Sequence, residues 1–361
     1  MPPPPSFFLP EFRWQGAAVS VRFAPGALRL VAEEVTALNG RRALVLTTLD
    51  QADSGAALAA HLGGLAAGQF AGAVMHTPAD VTDRAMAVLA DARADCLVAI
   101  GGGSTIGLCK ALALRTGLPQ IVVPTTFAGS EATPILGQTE NGEKTTLTDA
   151  RVRPAAILYD PDLICTLPPA MAVSSALNAI AHAAEGLYAR DRNPVSSLMA
   201  VEGIRAFVSA LPAVLADPAN RTAWAEGQYG AWLCGTVLGQ VGMALHHKLC
   251  HVLGGAFNLP HAETHAVILP HAIACNEAAV PDLLAPLAAL FGTATAAEGL
   301  ARFARSLGAP TSLRGLGLRE DQLDRAEELA LQRPYWNPRP LDPATLRGLL
   351  RRAWAGDAPT P

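Results

Sequence analysis

Six of the nine histidines in this 361-residue sequence lie between positions 246 and 271. In the helix predicted around the first of them, His247 and His251 are four residues apart and share a face, whereas His246 points about 100° away. His261 follows a Gly-Gly pair that we expect to form a turn. Imidazoles grouped in this way can bind a metal ion, transfer protons or hold an anion. Three members of the group are equally consistent with a structural role: His246, His265 and His271.

A second pair of polar residues stands in the stretch SSALNAIAHAAEG, residues 174–186. A helix there places Asn178 and His182 four residues apart on one face. A carboxylate and an imidazole at this spacing would supply half of a metal site, but the first residue is an amide. Amide oxygen is a weaker ligand than carboxylate for a divalent transition metal. Three histidines alone can still hold zinc, so the sequence weakens the interpretation as a metal site without removing it.

The stretch CLVAIGGGSTIGLCKALALRTG predicts a buried strand, a glycine-rich turn and a helix, in that order. Glycines let the backbone approach a pyrophosphate closely, and the N-terminus of the following helix offers free N–H groups. The turn lacks the usual dinucleotide fingerprint, because Ile106 stands where a third glycine would be needed. A tight turn without a ligand is the alternative, but three glycines and a serine favour phosphate binding. The predicted phosphate-binding residues are Gly101, Gly102, Gly103 and Ser104.

Threonines follow two of the apolar runs that predict strands. Thr48 ends the first strong run, where an acidic residue would hold a ribose 2′-hydroxyl. A threonine at this place should discriminate only weakly between a free and a phosphorylated ribose. Thr125 and Thr126 follow the run IVVP, and they are equally consistent with cofactor contacts and with side-chain caps that stabilise a turn.

The first part of the chain alternates short apolar runs with helical patterns. Such alternation predicts a parallel sheet covered by helices on both faces. The predicted strands are ALVLTT (43–48), AGAVM (71–75), CLVAI (96–100), QIVVPTT (120–126) and AAILYD (155–160), and an earlier segment, VSVRFAPGAL, adds a strand before a helix at 27–38. The predicted helices between these strands cover 51–66, 81–93 and 105–116.

After residue 161 the sequence changes to long alanine- and leucine-rich helical stretches with few strand signals. We predict a dinucleotide-binding α/β domain over residues 1–160 and an all-helical substrate and catalytic domain over residues 161–361. A cleft between two such domains is the expected place for the active site. Loops are predicted at NPVSS (193–197), ADPAN (216–220), NLPHAE (258–263) and LGAPTS (307–312).

Composition narrows the class of protein. Hydrophobic residues make up 50% of the chain and charged residues 16%, which is typical of a globular protein with a large core. The net charge of −4 gives no reason to expect nucleic acid or an anionic membrane as a partner. The start of the sequence lacks the pattern of a secretory signal, and the six cysteines form no CxxC pair. These features predict a cytoplasmic protein with reduced thiols.

Five motifs occur in the order seen in the iron-containing alcohol dehydrogenases: GGGSTIGLCK, PTTFAGSEAT, DPDLICTLPP, LNAIAHAAEG and HHKLCHVLGGAFNLPH. The chain resembles that family over nearly its whole length, and the resemblance implies its dehydroquinate synthase-like fold. In the family an aspartate and three histidines hold a divalent metal beside the nicotinamide. His251 matches an additional active-site histidine, and Gly107 replaces the acid of the family's GGGSxxD loop. The positions that match the metal ligands are Asn178, His182, His247 and His261.

Both departures are typical of the maleylacetate reductases, a branch of this superfamily that the chain resembles also in its HHKLCH string. The resemblance implies reduction of the C=C bond of maleylacetate to 3-oxoadipate with NADH or NADPH, in aromatic-compound degradation, by a homodimer that requires no metal. It also implies that Lys144 and Leu167 approach the cofactor. One alternative is an iron- or zinc-dependent alcohol dehydrogenase or aldehyde reductase of the same fold. The other is a non-catalytic nucleotide-binding or metal-sensing protein.

The implied reaction assigns roles to the polar residues. Hydride that adds to the alkene carbon β to the ketone leaves an enolate, which protonated imidazoles can stabilise. We expect His251 to donate the proton, and Asn178 to offer a neutral amide where an aspartate would repel a dicarboxylate. Lys248 is a further candidate for binding a carboxylate of the substrate. The imidazoles expected to surround the substrate are those of His182, His247, His251 and His261.

Overall fold

The computed structural model describes Phe7 and residues 9–140, 143–332 and 335–360, with the backbone alone described at residues 140, 143 and 144. The chain divides into two compact units. The sheet unit comprises residues 16–167 and 219–228. The helical unit comprises the described part of residues 1–15 together with residues 168–218 and 229–360. The predicted domain boundary between residues 160 and 161 stays a prediction.

Six parallel strands form the sheet of the sheet unit, in the order β1-β8-β5-β4-β2-β3. The strands are β1 Ser20–Phe23, β2 Ala43–Leu46, β3 Ala66–Phe70, β4 Cys96–Gly101, β5 Gln120–Pro124 and β8 Ala156–Tyr159. An antiparallel hairpin stands apart from this sheet and consists of β6 Ile135–Glu140 and β7 Glu143–Thr148. The α-helices that lie wholly within this unit are α1 Val31–Ala37, α2 Ala52–Leu62, α3 Ala79–Asp91, α4 Gly103–Thr116 and α5 Pro161–Ile164.

The inner strands are buried on both faces, because successive side chains of a strand point to opposite sides of the sheet. Val45 and Val98 pack in a core with residues of α1 and α2. Leu44 and Leu97, their neighbours in sequence, pack in a second core with residues of α3 and α4. Complete burial of such a side chain contributes about 1.5–3 kcal/mol to stability. The two cores therefore hold the inner strands in place. The loops that follow β2, β4 and β5, including the glycine loop, begin at the carboxyl ends of these strands.

The predicted α/β architecture is confirmed, and β1, β2, β4, β5 and β8 coincide with predicted strands. The prediction of a strand at AGAVM (71–75) is wrong, because the strand is β3, which ends at Phe70. Its sequence AAGQF lies at the edge of the sheet with partly buried side chains, so it lacks the long apolar run of the inner strands. The hairpin strands ILGQTE and EKTTLT are also largely polar, and no signal used above predicts them.

Nine helices follow α5 in the described part of the chain, and the predicted helical character after residue 161 is confirmed. Helix α6 is the most enclosed, since every residue from Ala172 to Leu187 is buried. A core cluster that includes Leu249 and Ile268 ties α9 to α10. The helices are α6 Pro169–Leu187, α7 Pro194–Ala216, α8 Arg221–Leu238, α9 Leu245–Phe257, α10 His261–Glu277, α11 Pro281–Phe291, α12 Ala296–Ser306, α13 Leu323–Leu331 and α14 Pro343–Ala355.

Two of the predicted breaks in the helical region are wrong. The segment NPVSS begins α7, because the Asn193 side chain accepts a hydrogen bond from the Ser196 N–H and proline occupies the first helical turn. The Gly-Gly pair at 254–255 continues α9 rather than turning the chain. The helix ends at Phe257, where Asn258 adopts the left-handed conformation that commonly terminates helices.

Two helical stretches, Pro194–Ala216 and Pro281–Ser306, are long and apolar enough to cross a membrane by length and composition alone. Buried residues make up 44% and 39% of their apolar windows, respectively. Apolar helices in the core of a globular protein have the same character, so these stretches carry no argument for a membrane.

Candidate active site

Asn178 and His182 lie one turn apart on α6, as their spacing predicts, and both side chains are buried, with 6% and 4% of their surface exposed. In the described structure, Asn178 Oδ1 and His182 Nδ1 are enclosed and make no hydrogen bond. Buried polar atoms normally have partners, because an unpaired one loses its hydration without compensation. Two such atoms on one face of α6 therefore indicate a surface that binds a polar ligand.

Glu185, which no sequence pattern singles out, organises the start of α9. Its carboxylate Oε2 accepts a hydrogen bond from His247 Nδ1 at 2.6 Å. The carboxylate also accepts from the N–H groups of Ala244 at 3.1 Å, His246 at 2.8 Å and His247 at 3.3 Å. Since the first N–H groups of a helix lack partners within it, Glu185 caps α9 and orients His247 at once. Its spacing of three residues from His182 places it on nearly the same side of α6, but this spacing does not indicate a contact with α9.

The charge of Glu185 fixes which nitrogen of His247 carries a proton. Burial by itself raises the pKa of Glu185, but the hydrogen bond from His247 and the nearby imidazoles lower it to about 2. Glu185 is therefore an anion at neutral pH, and the His247 nitrogen facing it must carry hydrogen. The other nitrogen, His247 Nε2, is buried and has no hydrogen-bond partner in the described structure. It is available to a ligand.

The remaining imidazoles gather around His247. The ring centroid of His247 is 5.1 Å from that of His182, 5.2 Å from that of His265 and 6.3 Å from that of His251. His261 begins α10 and its ring centroid lies 4.4 Å from that of His265. The four predicted substrate-binding histidines therefore belong to one cluster in the helical unit, and His265 joins it.

Lys248 lies beside this cluster in sequence but is engaged elsewhere. Its Nζ donates a hydrogen bond to the carbonyl of Gln332 at 2.8 Å and lies 5.5 Å from the centre of the Tyr335 ring. A cation over an aromatic face is stabilised by the ring quadrupole. The side chain thus contacts residues 332 and 335, and its predicted role in binding a carboxylate stays a prediction.

Burial controls the charge of the inner histidines. The pKa of His182 is well below its usual value, first because of burial and then because other imidazoles lie close. Burial likewise lowers the pKa of His265, and it lowers that of His246 to about 3. These three side chains are therefore neutral near pH 7 in the ligand-free protein. For His182 this differs from the protonated state expected from the sequence.

The side chains at the family's metal positions fit a divalent cation poorly. Asn178 supplies no charge, and the carboxylate that contacts His247, that of Glu185, is already bonded to four N–H groups. A cation there would have only neutral first ligands, whereas carboxylate or thiolate ligands commonly neutralise part of its charge. Among the described His, Cys, Asp and Glu side chains, those whose ligand atoms all lie within 4.8 Å of one another are His246, Cys250 and His265.

The glycine loop of the sheet unit has the geometry of a phosphate site. Gly101 ends β4 with φ of 153°, and Gly103 begins α4. No side chain caps this helix, and a Cβ at Gly103 would meet no atom within 4 Å. A Cβ at Gly102 would lie 2.8 Å from Thr126 Cγ2. The loop thus leaves open space before uncapped N–H groups, with Ser104 in the first helical turn, as anion binding at a helix N-terminus requires.

The predicted threonines lie along the same edge of the sheet. Gln51, which belongs to no sequence motif, links them by donating a hydrogen bond from Nε2 to Thr125 Oγ1 at 3.0 Å. Thr48 Oγ1 donates to Gln51 Oε1 at 3.5 Å, and the Thr125 N–H donates to the carbonyl of Gly101 at 3.0 Å. These bonds connect the ends of β2, β4 and β5. Thr126 follows directly and is partly exposed.

Two further cofactor predictions remain outside this arrangement. Leu167 is the last residue of the first segment of the sheet unit and is nearly buried. Lys144 belongs to β7, but its side chain lies outside the described part of the chain. Their predicted approach to the cofactor stays a prediction.

Gly107, which stands where the family's loop has an acid, is buried in α4. A Cβ at this position would overlap the hydroxyl oxygen of Thr77. Thr77 is itself buried and has a positive φ of 47°. The structure therefore has no room for a carboxylate at position 107 while Thr77 keeps its place.

Comparison with known proteins agrees with this architecture. Residues 18–161 match the family model described as iron-containing alcohol dehydrogenase, and residues 172–354 match the C-terminal model of the same family. The maleylacetate reductase of Rhizobium sp. strain MTP-10005 is 57% identical over 96% of this chain and 99% of its own length. The maleylacetate reductase of Burkholderia cepacia is 50% identical over 97% of this chain and 99% of its own.

Solved structures give the same result. The crystal structure of the Rhizobium maleylacetate reductase superposes with a TM-score of 0.95 and covers 97% of this chain and 100% of that one. An iron-containing alcohol dehydrogenase from Corynebacterium glutamicum is 39% identical, with a TM-score of 0.91 over 95% of this chain and 97% of that one. The chain therefore belongs to the iron-containing alcohol dehydrogenase family and, within it, to the branch of the maleylacetate reductases.

Proposed function

We propose that the chain reduces the C=C bond of maleylacetate to give 3-oxoadipate, with NADH or NADPH as the hydride donor. Membership of an NAD(P)-dependent oxidoreductase family and the identity of 57% to a maleylacetate reductase support this activity. The observation that carries it is the buried, uncharged group formed by Asn178, His182 and the free nitrogen of His247. This surface carries no negative charge, whereas a carboxylate at position 178 would repel a dianionic substrate.

Hydride adds to the alkene carbon β to the ketone, and the electron pair of the C=C bond moves toward the ketone oxygen to form an enolate. Neutral imidazoles can donate hydrogen bonds to such an oxyanion, because preorganised N–H donors in a water-poor site are effective without a formal charge. His182 is a proposed donor in its neutral form. His247 donates from Nε2 only when both of its ring nitrogens carry hydrogen, a state that the anionic Glu185 stabilises while it holds the ring in a fixed orientation. The Asn178 amide donates to a carboxylate of the substrate.

His251 is the proposed proton donor to the carbon next to the ketone. It lies one turn after His247 on α9 and is exposed, so it can regain its proton from solvent. His261, at the start of α10, is proposed to bind the second carboxylate.

The cofactor is proposed to bind the sheet unit. Its pyrophosphate would lie on the N–H groups of the loop Gly101–Ser104, with Thr48, Thr125 and Thr126 near the ribose or the adenine. The absence of an acidic residue at position 48 removes the usual barrier to a 2′-phosphate, which supports use of both NADH and NADPH.

We further propose that turnover requires no metal and that the enzyme is a cytoplasmic homodimer. The uncharged ligand set around Asn178 supports the first statement. Purified protein should therefore contain substoichiometric iron and zinc, and its activity should survive dialysis against a chelator. Stoichiometric metal together with complete loss of activity on chelation would favour a metal-dependent alcohol or aldehyde reductase instead.

The decisive assay is oxidation of NADH, followed by its absorbance, on addition of maleylacetate. We expect consumption of one NADH per maleylacetate, with 3-oxoadipate as the product. An enzyme that oxidises simple alcohols or reduces aldehydes but leaves maleylacetate unchanged would refute the proposal. A protein that binds NADH without turnover of any of these substrates would be the non-catalytic alternative.

A further inference from the structure

His265 lies among the histidines of the proposed mechanism but has no role in it. Its side chain is 1% exposed, and its ring centroid is 4.4 Å from that of His261, 5.2 Å from that of His247 and 6.4 Å from that of His182. It therefore contacts three of the side chains proposed to hold the substrate. Its position on α10, four residues after His261, keeps the two rings on one face of that helix.

The two ring nitrogens of His265 have different environments. Nδ1 forms a hydrogen bond with His246 Nε2 at 2.8 Å. Nε2 is enclosed and has no hydrogen-bond partner within the described residues. A buried polar atom without a partner is unfavourable unless a ligand satisfies it. The free nitrogen of His265 therefore indicates a contact that forms only when the site is occupied.

His246 holds this arrangement in place. It is fully buried, and its backbone N–H donates to Glu185 Oε1 at 2.8 Å, which ties it to the carboxylate that also orients His247. A hydrogen bond of 2.8 Å between two ring nitrogens contains a single proton, because one ring donates and the other accepts. When His246 donates that proton, the hydrogen of His265 must reside on Nε2. The tautomer of His246 thus determines whether His265 Nε2 carries a hydrogen or a lone pair.

We propose that His265 is a further catalytic residue, which donates a hydrogen bond from Nε2 to the anionic substrate, and that His246 is the positioning residue that selects this tautomer. The inference rests on the proposed function in so far as the ligand is a dicarboxylate. A negative charge beside His265 favours the tautomer that donates from Nε2, because the opposite tautomer would face the anion with a lone pair. The bound anion therefore receives a hydrogen bond from His265 Nε2 and stabilises the tautomer that donates it.

A metal site formed by His246, Cys250 and His265 is the alternative explanation for the close grouping of these three side chains. Two imidazole nitrogens on one tetrahedral zinc lie about 3.3 Å apart, given Zn–N bonds of about 2.0–2.1 Å. The separation of 2.8 Å between His246 Nε2 and His265 Nδ1 is that of a hydrogen bond. Cys250 Sγ lies 3.7 Å from the same nitrogen of His246 and donates at most a weak bond. The geometry thus favours the paired imidazoles.

Amide side chains can separate the two nitrogens of His265. In His265→Asn the amide lies near the position of Nδ1, so the bond to His246 can persist while the contact from Nε2 is lost. In His265→Gln the amide reaches the position of Nε2 and retains a donor there. His246→Gln keeps a group bonded to His265 but removes the tautomer selection. His271→Asn is the matched control, since His271 is a buried histidine of α10 outside the cluster, with an unpaired Nδ1.

Each variant is tested for steady-state turnover of maleylacetate, for binding of 3-oxoadipate by calorimetry and for thermal stability. We expect His265→Asn to lose about 10- to 100-fold in kcat/KM and in product affinity, as for a hydrogen bond to a charged group. His265→Gln should recover a large part of both, and His246→Gln should reduce kcat more than it reduces product affinity. His271→Asn should retain wild-type values for both, even if its stability falls.

Wild-type kcat/KM and product affinity in a folded His265→Asn enzyme would overturn the proposal. Equal losses in the Asn and Gln variants would overturn it too, because the role would then be packing alone. Metal analysis adds a third outcome, since stoichiometric zinc or copper lost on His246→Gln would assign the atoms to a metal site. If the wild-type enzyme binds 3-oxoadipate through His265 yet does not reduce maleylacetate, the proposed function fails while this inference stands.

Discussion

Replacement of Glu185 by glutamine removes one charge from the buried start of α9 with little change in shape. The carboxylate accepts hydrogen bonds from His247 Nδ1 and from three backbone N–H groups, and an amide can accept at only one of its two atoms. The pKa of Glu185 falls from 4.5 to about 2 on folding, which corresponds to a stabilisation of about 3 kcal/mol at neutral pH. We expect Glu185→Gln to lower the free energy of unfolding by about 2–4 kcal/mol.

The same change should reduce kcat, because His247 loses the anion that fixes its orientation and its protonated nitrogen. Loss of such an orienting carboxylate typically costs about 10- to 100-fold in activity. Urea unfolding measures the free energy of unfolding. NADH oxidation with maleylacetate, at a temperature well below that of thermal unfolding, measures kcat. Tyr188→Phe is the control, since the Tyr188 hydroxyl donates to Glu185 Oε1 at 3.3 Å, whereas His247 Nδ1 bonds to the other oxygen, Oε2. It should lose about 1 kcal/mol of stability and no activity. A Glu185→Gln enzyme with wild-type kcat would refute the role of Glu185.

Three further results are expected. Asn178→Asp should raise KM for maleylacetate at least about 10-fold by repulsion of the dicarboxylate, and it should increase iron or zinc retained on purification, measured by elemental analysis. Gly102→Ala should raise KM for NADH because its Cβ would meet a neighbouring threonine at 2.8 Å, whereas Gly103→Ala, with no atom within 4 Å, should fold normally. Thermal melts from pH 8 to pH 3 should show stability falling below about pH 6.5, because the unfolded chain binds protons that the buried histidines do not bind in the folded state. The fall should steepen below about pH 4.5, as the depressed pKa of Glu185 adds its own loss, and a flat profile would contradict both assignments.

The helix face that carries Asn178 and His182 could be predicted because a spacing of four residues fixes their direction before any tertiary contact is known. The buried inner strands could be predicted for a similar reason, since their continuous apolar runs admit few alternatives. Glu185 could not, because its importance depends on the backbone N–H groups of a helix almost 60 residues away in sequence. Gln51 could not be predicted either, because its partner Thr125 lies 74 residues away in sequence.

The errors have physical causes too. The Gly254–Gly255 pair predicts a turn by local preference, but the packing of Leu249 and Leu253 against neighbouring helices holds α9 through it. The protonated state expected for the histidines ignores burial, which no local pattern reveals. Sequence spacing thus located the polar side chains, whereas their charges and partners depended on the folded surroundings.

The contact between Gly107 and Thr77 bears on how this site could have arisen and whether it could revert. A single codon change that restored aspartate at position 107 would place its Cβ on the threonine hydroxyl. The acid could return only if the Thr77 hydroxyl rotated away or a smaller residue replaced the threonine, at a position where φ is already positive. Restoring the acid alone would therefore disturb packing that the present pair leaves intact. Positions 107 and 77 thus constrain each other, and we expect the effects of substitutions at the two positions on stability to be coupled rather than additive.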